Sequence, residues 1–326
     1  MTTTQPPQVT PALVDVARNR RRSLLSVRQL TAAQLDALVE RSVGIAAAPA
    51  DVAPVLDGLV VATLFERTST RTRTAFSVGA LRLGAKLLTY DAAGLQLQTG
   101  ETIEDTLRVL GLMLDGVVIR STRTLAELDG LLDRGAPPIV NAMAREEHPT
   151  QAVCDLATMR AHLGALGGIS VLYVGEGNNS ASALAYALAR VPGAKLSLYV
   201  PPGYGLPEEQ LALAVADAAA HGAQVRQVER ADELPDHVDV VYTTRWQTTG
   251  TSKPDPAWRE TFRPYHVDEA FLGRWPAARF LHDLPAHRGE EVTGAVLDGR
   301  ASLAWQQARM KLCSAMAVLE TCWTAR

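Results

Sequence analysis

The sequence predicts an α/β protein built from two doubly wound parallel-sheet domains linked by helical chain. Three observations carry that prediction. At 326 residues the chain exceeds one typical domain. Short apolar runs alternate with helix-periodic stretches along nearly its whole length, as they do when crossover helices join parallel strands and cover both faces of a sheet. A hydrophobic fraction of 47% supplies enough apolar side chain for two cores.

Taken in order, Thr31 is placed to cap a helix over 31–41, where its hydroxyl meets open first-turn amides and Leu35, Leu38 and Val39 form an apolar stripe. Residues 58–65 read as a buried strand, 66–74 as a polar connection and 75–83 as a helix. Strands at 86–90, 116–120 and 138–141 alternate with helices at 101–114 and 125–132. The stretch 150–163 is helical with one apolar side, so it joins the two halves as a helix. Beyond it, strands at 169–174, 195–200, 223–228, 239–243 and 279–282 alternate with helices at 181–190 and 207–221. Residues 247–264 hold Gly250, Pro254, Pro256 and Pro264 among polar side chains and read as a long loop, the kind that often serves as a lid.

A formal charge of −3 argues against a general nucleic-acid binder, which needs a basic surplus for phosphate contacts. Residues 1–22 are expected to be flexible, and Arg18, Arg20, Arg21 and Arg22 to form a solvated helix face. Pro6, Pro7 and Pro11 stand where a signal peptide would need an apolar core. No uncharged apolar run reaches the ~20 residues of a spanning helix. Three scattered cysteines, Cys154, Cys313 and Cys322, make neither a disulfide framework nor a zinc site, and a reducing cytoplasm fits them best.

The strongest local signal is the run from Phe65 to Thr74, Phe-Glu-Arg-Thr-Ser-Thr-Arg-Thr-Arg-Thr, between a buried strand and a helix start. Hydroxyls, a guanidinium and open helix-start amides converge there, which suits a phosphate, although a Ser/Thr-rich turn can also simply cap a helix. Arg120 ends a strand, where ligands of open α/β sheets collect. His148-Pro149-Thr150-Gln151 begins the linking helix, and its imidazole and carboxamide can donate to a carbonyl oxygen as negative charge grows on it.

Together with His282-Asp283-Leu284-Pro285-Ala286-His287-Arg288-Gly289-Glu290-Glu291-Val292, these motifs make the chain resemble the aspartate/ornithine carbamoyltransferase family, in register from about Ser23 to the last helix. The resemblance implies a carbamoyl-phosphate domain over 23–147, an amine-acceptor domain over 148–301, and a last helix within 302–326 that packs back on the first domain. It implies that Ser69, Thr70, Arg71 and Thr72 hold the phosphate of carbamoyl phosphate. Arg120, His148 and Thr72 then meet the carbamoyl oxygen, and Gln151 holds the carbamoyl amide. Arg71, Arg120, His148 and Gln151 become the catalytic set. It further implies that Arg309 reaches the donor site, that Leu284 offers its backbone carbonyl, and that the assembly is a homotrimer in which Gln96 enters the neighbouring subunit's site. No metal or organic cofactor is required by such chemistry, and the substrates are small molecules; no nucleic acid or membrane partner is implied.

At the acceptor end the chain departs from both well-known branches. Gly175-Glu176-Gly177-Asn178-Asn179-Ser180 resembles the ornithine branch, in which Asn179 would hold an α-carboxylate and amine. After the strand at 239–243, however, the acidic residue of that branch is missing, and Thr244-Arg245-Trp246-Gln247 resembles the aspartate branch, in which Arg245 and Gln247 would grip carboxylates. Asp283 stands where the ornithine branch has cysteine. Its charge is expected to pair with an ammonium on a diamino-acid-like acceptor, ornithine or a shorter or modified diamine of specialised metabolism.

Two other readings compete. Gly175-x-Gly177-x-x-Ser180 after a strand imitates a dinucleotide fingerprint and suggests a nucleotide-dependent oxidoreductase, although its third position is Ser. A catalytically silent homologue that merely binds carbamoyl phosphate would carry the same donor motifs.

Overall fold

The structure, a computed structural model, describes residues 14–91, 94–248 and 252–324. The expected flexibility of residues 1–13, and residues 249–251 of the expected long loop, lie outside the described residues.

The chain opens with α1 (Val16–Arg21) and α2 (Ala32–Ala47), then runs through β1 (Val60–Phe65), α3 (Thr70–Arg82), β2 (Lys86–Asp91), α4 (Ile103–Gly111), β3 (Gly116–Arg120), α5 (Leu125–Asp133) and β4 (Ile139–Asn141). The buried helix α6 (Pro149–Leu163) leads to β5 (Ser170–Val174), α7 (Asn179–Leu188), β6 (Lys195–Tyr199), α8 (Glu208–His221), β7 (Gln224–Val228) and β8 (Val240–Thr243). Short helices α9 (Trp258–Phe262) and α10 (Glu269–Leu272) precede β9 (Arg279–His282), and α11 (Gly294–Leu297) precedes the long α12 (Ala304–Trp323). The strands form two sheets, ordered β2-β1-β3-β4 and β7-β6-β5-β8-β9. Every pairing between them is parallel.

That order places two crevices where a ligand can enter. In the first sheet the chain leaves β1 toward β2 and returns to the other side at β3; in the second it leaves β5 toward β6 and returns at β8. At such reversals the loops beyond adjacent strand ends diverge and leave a gap. The loops after β1 and β3 and those after β5 and β8 therefore supply side chains to a shared space.

The expected return of the last helix is observed. α12 packs on α2, α3 and α6. The fit is tight at Gly116, where an added Cβ would lie 2.4 Å from Trp323 Cε2, so only glycine leaves room for that ring.

Three expectations are corrected. The segment 14–22 is not a flexible tail: Asp15 caps α1 by accepting from the Arg18 amide at 2.9 Å, Arg20 pairs with Asp129 and Asp133 on α5, and the buried Arg22 donates to the Trp323 carbonyl at 3.0 Å. The arginines have carboxylate and carbonyl partners across the fold, which a charge run does not reveal. The described part of 247–264 is also more than loop, because α9 buries Trp258 and Phe262 against Trp246. Helix α3 begins at Thr70 and not at residue 75, which brings the hydroxyl-rich run into its first turn.

Candidate active site

One cavity of about 350 Å³ gathers most of the residues singled out in the sequence: Ser69, Thr70, Arg71, Thr72, Arg120, His148, Gln151, Asn179, Arg245, Gln247, Asp283 and Leu284 all line it. It lies between the carboxyl ends of β1 and β3 on one side and those of β5, β8 and β9 on the other.

The phosphate-like corner is the start of α3. Ser69 occupies the N-cap position in extended conformation, and no side chain caps the helix, so the first-turn amides stay open to an anion beside the hydroxyls of Thr70 and Thr72. The loop after β1 is tied to the loop after β3 by a hydrogen bond from the Glu66 amide to the Arg120 carbonyl, 2.9 Å, and by the Arg123–Glu66 ion pair, 3.5 Å. Arg120 is buried, and its Nε has no hydrogen-bond partner among the described residues. Burial, with the neighbouring Arg71 guanidinium adding repulsion, lowers its pKa to about 10. Burial lowers Arg71 as well.

His148 is held well below the ordinary imidazole range, first by burial and then by Lys311 and Arg120, so it stays neutral near pH 7. A neutral ring keeps one N–H to donate and adds no further positive charge. Gln151, one turn into α6, donates to Asp155 Oδ1 at 2.7 Å and accepts from Lys311.

Arg309 stands apart from these residues. It does not line the cavity but sits on the exposed side of α12, its guanidinium 3.4 Å from the Ala46 carbonyl. Residues two apart on a helix face roughly 200° away from each other. Lys311 therefore points inward where Arg309 points out, and it is Lys311 that lines the cavity. Lys311 shares a face of α12 with Gln307, Ser314 and Val318, all buried. Gln96 stands outside its own chain's cavity, exposed, with its carbonyl and side-chain oxygens accepting from Thr99 at 2.7 and 3.1 Å.

The end of the cavity beside β8 and β9 is shaped by turns. Leu284 has φ 55°, a left-handed backbone uncommon for a leucine. His282 Nδ1 accepts from the Leu284 amide at 2.8 Å, which leaves its proton on Nε2, donating to the buried Glu291 at 3.2 Å. Because Nδ1 is an acceptor here, its 3.7 Å separation from Asp283 is no ion pair. Asp283 accepts from the Thr244 hydroxyl at 2.9 Å, and no Lys or Arg among the described residues stands within salt-bridge distance of it. Arg245 likewise has no carboxylate partner among the described residues, and its Nε is buried with no hydrogen-bond partner among them.

Glu176 and Lys253 fasten the segment after β8 to the turn after β5. Lys253 pairs with Glu176 and lies 4.5, 5.3 and 4.6 Å from the ring centres of Tyr204, Trp258 and Phe262. Glu176 also accepts from the amide and hydroxyl of Thr248, at 3.2 and 3.0 Å, and Thr248 lines the cavity. Replacing Lys253 by methionine removes the charge but keeps the bulk among the rings. It is expected to raise KM for the acceptor about tenfold, the scale of a desolvated cation–π and ion-pair contact, and to leave KM for the donor unchanged. Steady-state kinetics with each substrate varied in turn checks this, and an equal rise in both KM values would contradict it.

The imitation of a dinucleotide fingerprint has another cause. A Cβ at Gly177 would come 2.3 Å from the backbone of Gly205 and Leu206, so glycine is demanded by a close approach of two loops. The start of α7 is already filled by Asn178, which accepts from the Ser180 and Ala181 amides.

Residues 22–161 match the family model described as aspartate/ornithine carbamoyltransferase, carbamoyl-P binding domain. Residues 167–322 match the one described as aspartate/ornithine carbamoyltransferase, Asp/Orn binding domain. The chain belongs to the aspartate/ornithine carbamoyltransferase family. Ornithine carbamoyltransferase from Carboxydothermus hydrogenoformans is 34% identical over 307 residues, covering 93% of this chain and 98% of that protein. That from Bacillus cereus is 32% identical over 307 residues, 94% of this chain and 96% of that protein. The solved ornithine carbamoyltransferase from Pyrococcus furiosus superposes with a TM-score of 0.87 at 32% identity, covering 94% of this chain and 98% of that one. As a member of the aspartate/ornithine carbamoyltransferase family, the protein is an enzyme that transfers a carbamoyl group. No helix among the described residues is long and apolar enough to cross a membrane.

Two buried carboxylates of this carbamoyltransferase, Glu147 and Asp155, are pushed up to about 7, chiefly by burial. Both folded values lie above the unfolded ones, near 4. The native state therefore holds protons that the unfolded chain has released, and stability is expected to fall as pH rises from about 4 to about 7, by a few kcal/mol in order of magnitude. Denaturant titrations at about pH 5 and pH 8 read the difference, and a more stable protein at the higher pH would refute the sign.

Proposed function

We propose that the acceptor is a zwitterionic diamino compound, ornithine or a shorter or modified relative. Asp283 would take an ammonium, and Arg245, Gln247 and Asn179 a carboxylate or carbonyl. The observation that carries this is the charge pattern of the cavity: its lining holds four cationic side chains, Arg71, Arg120, Arg245 and Lys311, and one carboxylate, Asp283. An anionic donor would satisfy the first group, and the solitary carboxylate calls for a cation.

In this reading the phosphate of carbamoyl phosphate lies on the amides and hydroxyls of Ser69, Thr70 and Thr72 and on Arg71. Its carbonyl oxygen faces Arg120, His148 and Thr72, and its amide nitrogen faces Gln151. The neutral amine of the acceptor attacks the carbamoyl carbon, forming the C–N bond while charge gathers on the oxygen. Breaking the C–O bond to phosphate returns the carbonyl, and the proton lost by nitrogen leaves with phosphate. Arginines stabilise both developing anions without giving up protons of their own. Holding donor and acceptor side by side supplies much of the acceleration, up to roughly 7–11 kcal/mol in favourable intramolecular cases. In the same reading the Leu284 carbonyl would orient an N–H of either substrate.

We also propose that Gln96 completes the site of a neighbouring copy in a trimer. Edge strand β2 is largely exposed, and Leu81, Leu88, Val109, Leu112 and Met113 are exposed apolar residues on that first half of the chain, which supports a face covered by another chain.

The test is a panel of amines offered with carbamoyl phosphate, read as phosphate release and carbamoylated product. Turnover with α,ω-diamino acids and none with aspartate is expected. Preference for aspartate sinks the acceptor assignment, and donor binding without turnover of any amine would favour a silent homologue.

A further inference from the structure

We infer that Lys311 and Asp155 are a positioning pair that fixes which way the Gln151 amide faces, and thereby make the cavity prefer a donor bearing –NH2 over one bearing a methyl group in the same place. The inference rests on the reading above that Gln151 meets the carbamoyl nitrogen.

A glutamine amide has an oxygen that only accepts and a nitrogen that only donates, and the two exchange places by a half-turn of nearly equal shape. Left alone it reads –NH2 and an acceptor equally well. Here the half-turn is blocked at both ends. Lys311 donates to Gln151 Oε1, and an ammonium carries no lone pair, so a turned amide would set N–H against N–H. Asp155 Oδ1 accepts from Gln151 Nε2 at 2.7 Å, and a turned amide would set oxygen against a carboxylate.

Neither partner can follow the amide round. Asp155, fully buried, also accepts from Gln307 at 2.7 Å and from the Tyr242 hydroxyl at 3.0 Å. Gln307 is in turn oriented because its own oxygen accepts from the His282 amide at 2.9 Å. Lys311 is buried on α12, a helix packed along its length. The remaining lone pair of Gln151 Oε1 is therefore an acceptor in a wall otherwise rich in donors, and a donor compound's –NH2 satisfies it where a methyl group cannot.

The alternative role for Lys311 is plain counter-charge for the phosphate, and it predicts a different outcome. Phosphonoacetamide and acetonylphosphonate share the phosphonate, the carbonyl and the charge, and differ by –NH2 against –CH3. Calorimetry at about pH 8, above the raised pKa of Asp155, measures both. The wild type is expected to bind the amide about tenfold more tightly, the scale of one well-placed hydrogen bond. In Lys311→Met that ratio falls to within about twofold, and in Lys311→Arg, which donates but cannot accept, it is kept. Asp155→Asn tolerates either amide orientation and lowers the ratio too, which keeps the test open should Lys311→Met fail to fold. Equal weakening of both ligands in Lys311→Met with the ratio intact overturns the inference and leaves the donor site standing. A wild type that takes up neither analogue nor carbamoyl phosphate overturns the donor reading and this inference with it.

Discussion

Replacing Arg120 by methionine is expected to lower kcat by two to three orders of magnitude, the usual scale for removing one donor aimed at a developing oxyanion in a dry site. Arg120 is buried at the end of β3, and with its pKa lowered only to about 10 it stays charged near neutral pH. Methionine keeps much of the side chain's length, so the loops after β1 and β3, joined through the Arg120 main-chain carbonyl and the Arg123–Glu66 pair, are expected to hold their places. Rapid-quench measurement of the chemical step separates this from a binding defect. A variant that loses only donor affinity, with kcat intact, would move Arg120 from the transition state to the ground state.

Asparagine at position 283 is expected to lower kcat/KM for a diamino acceptor by about two orders of magnitude while donor KM stays within about twofold. Losing one partner of a desolvated charge pair costs on the order of 3 kcal/mol. The exchange is conservative in every other respect, because the Thr244 hydroxyl that donates to Asp283 at 2.9 Å can donate equally to the asparagine oxygen. Unchanged acceptor kinetics, or a larger loss with a monocationic amine lacking the second nitrogen, would remove Asp283 from the acceptor site.

Much of the architecture was legible because parallel strands covered on both faces leave unbroken apolar runs, and β3 and β9 fall where those runs place them. The corner of the cavity at the start of α3 was legible for a related reason: a hydroxyl-rich turn between a buried strand and a helix sets polar groups beside open first-turn amides. What escaped was decided by partners distant in sequence. The arginines near residue 20 resemble a solvated face until Asp129, Asp133 and the carbonyl of Trp323 come beside them. Lys253 is one more lysine in a proline-rich stretch until Tyr204, Trp258 and Phe262 surround it. The choice between Arg309 and Lys311 turned on helical phase, and only the packing of α12 against α2, α3 and α6 sets that phase.

The fit of Trp323 over Gly116 also bears on how this protein comes to exist in a cell. A ribosome delivers the first sheet long before it releases the helix that seals it, so the opening half of the polypeptide must wait, unfinished, while the second sheet is made and folds. Closure of the first sheet is thereby deferred until residue 323 has been made, and a chain without the last two turns of α12 would lack the ring that closes its oldest part.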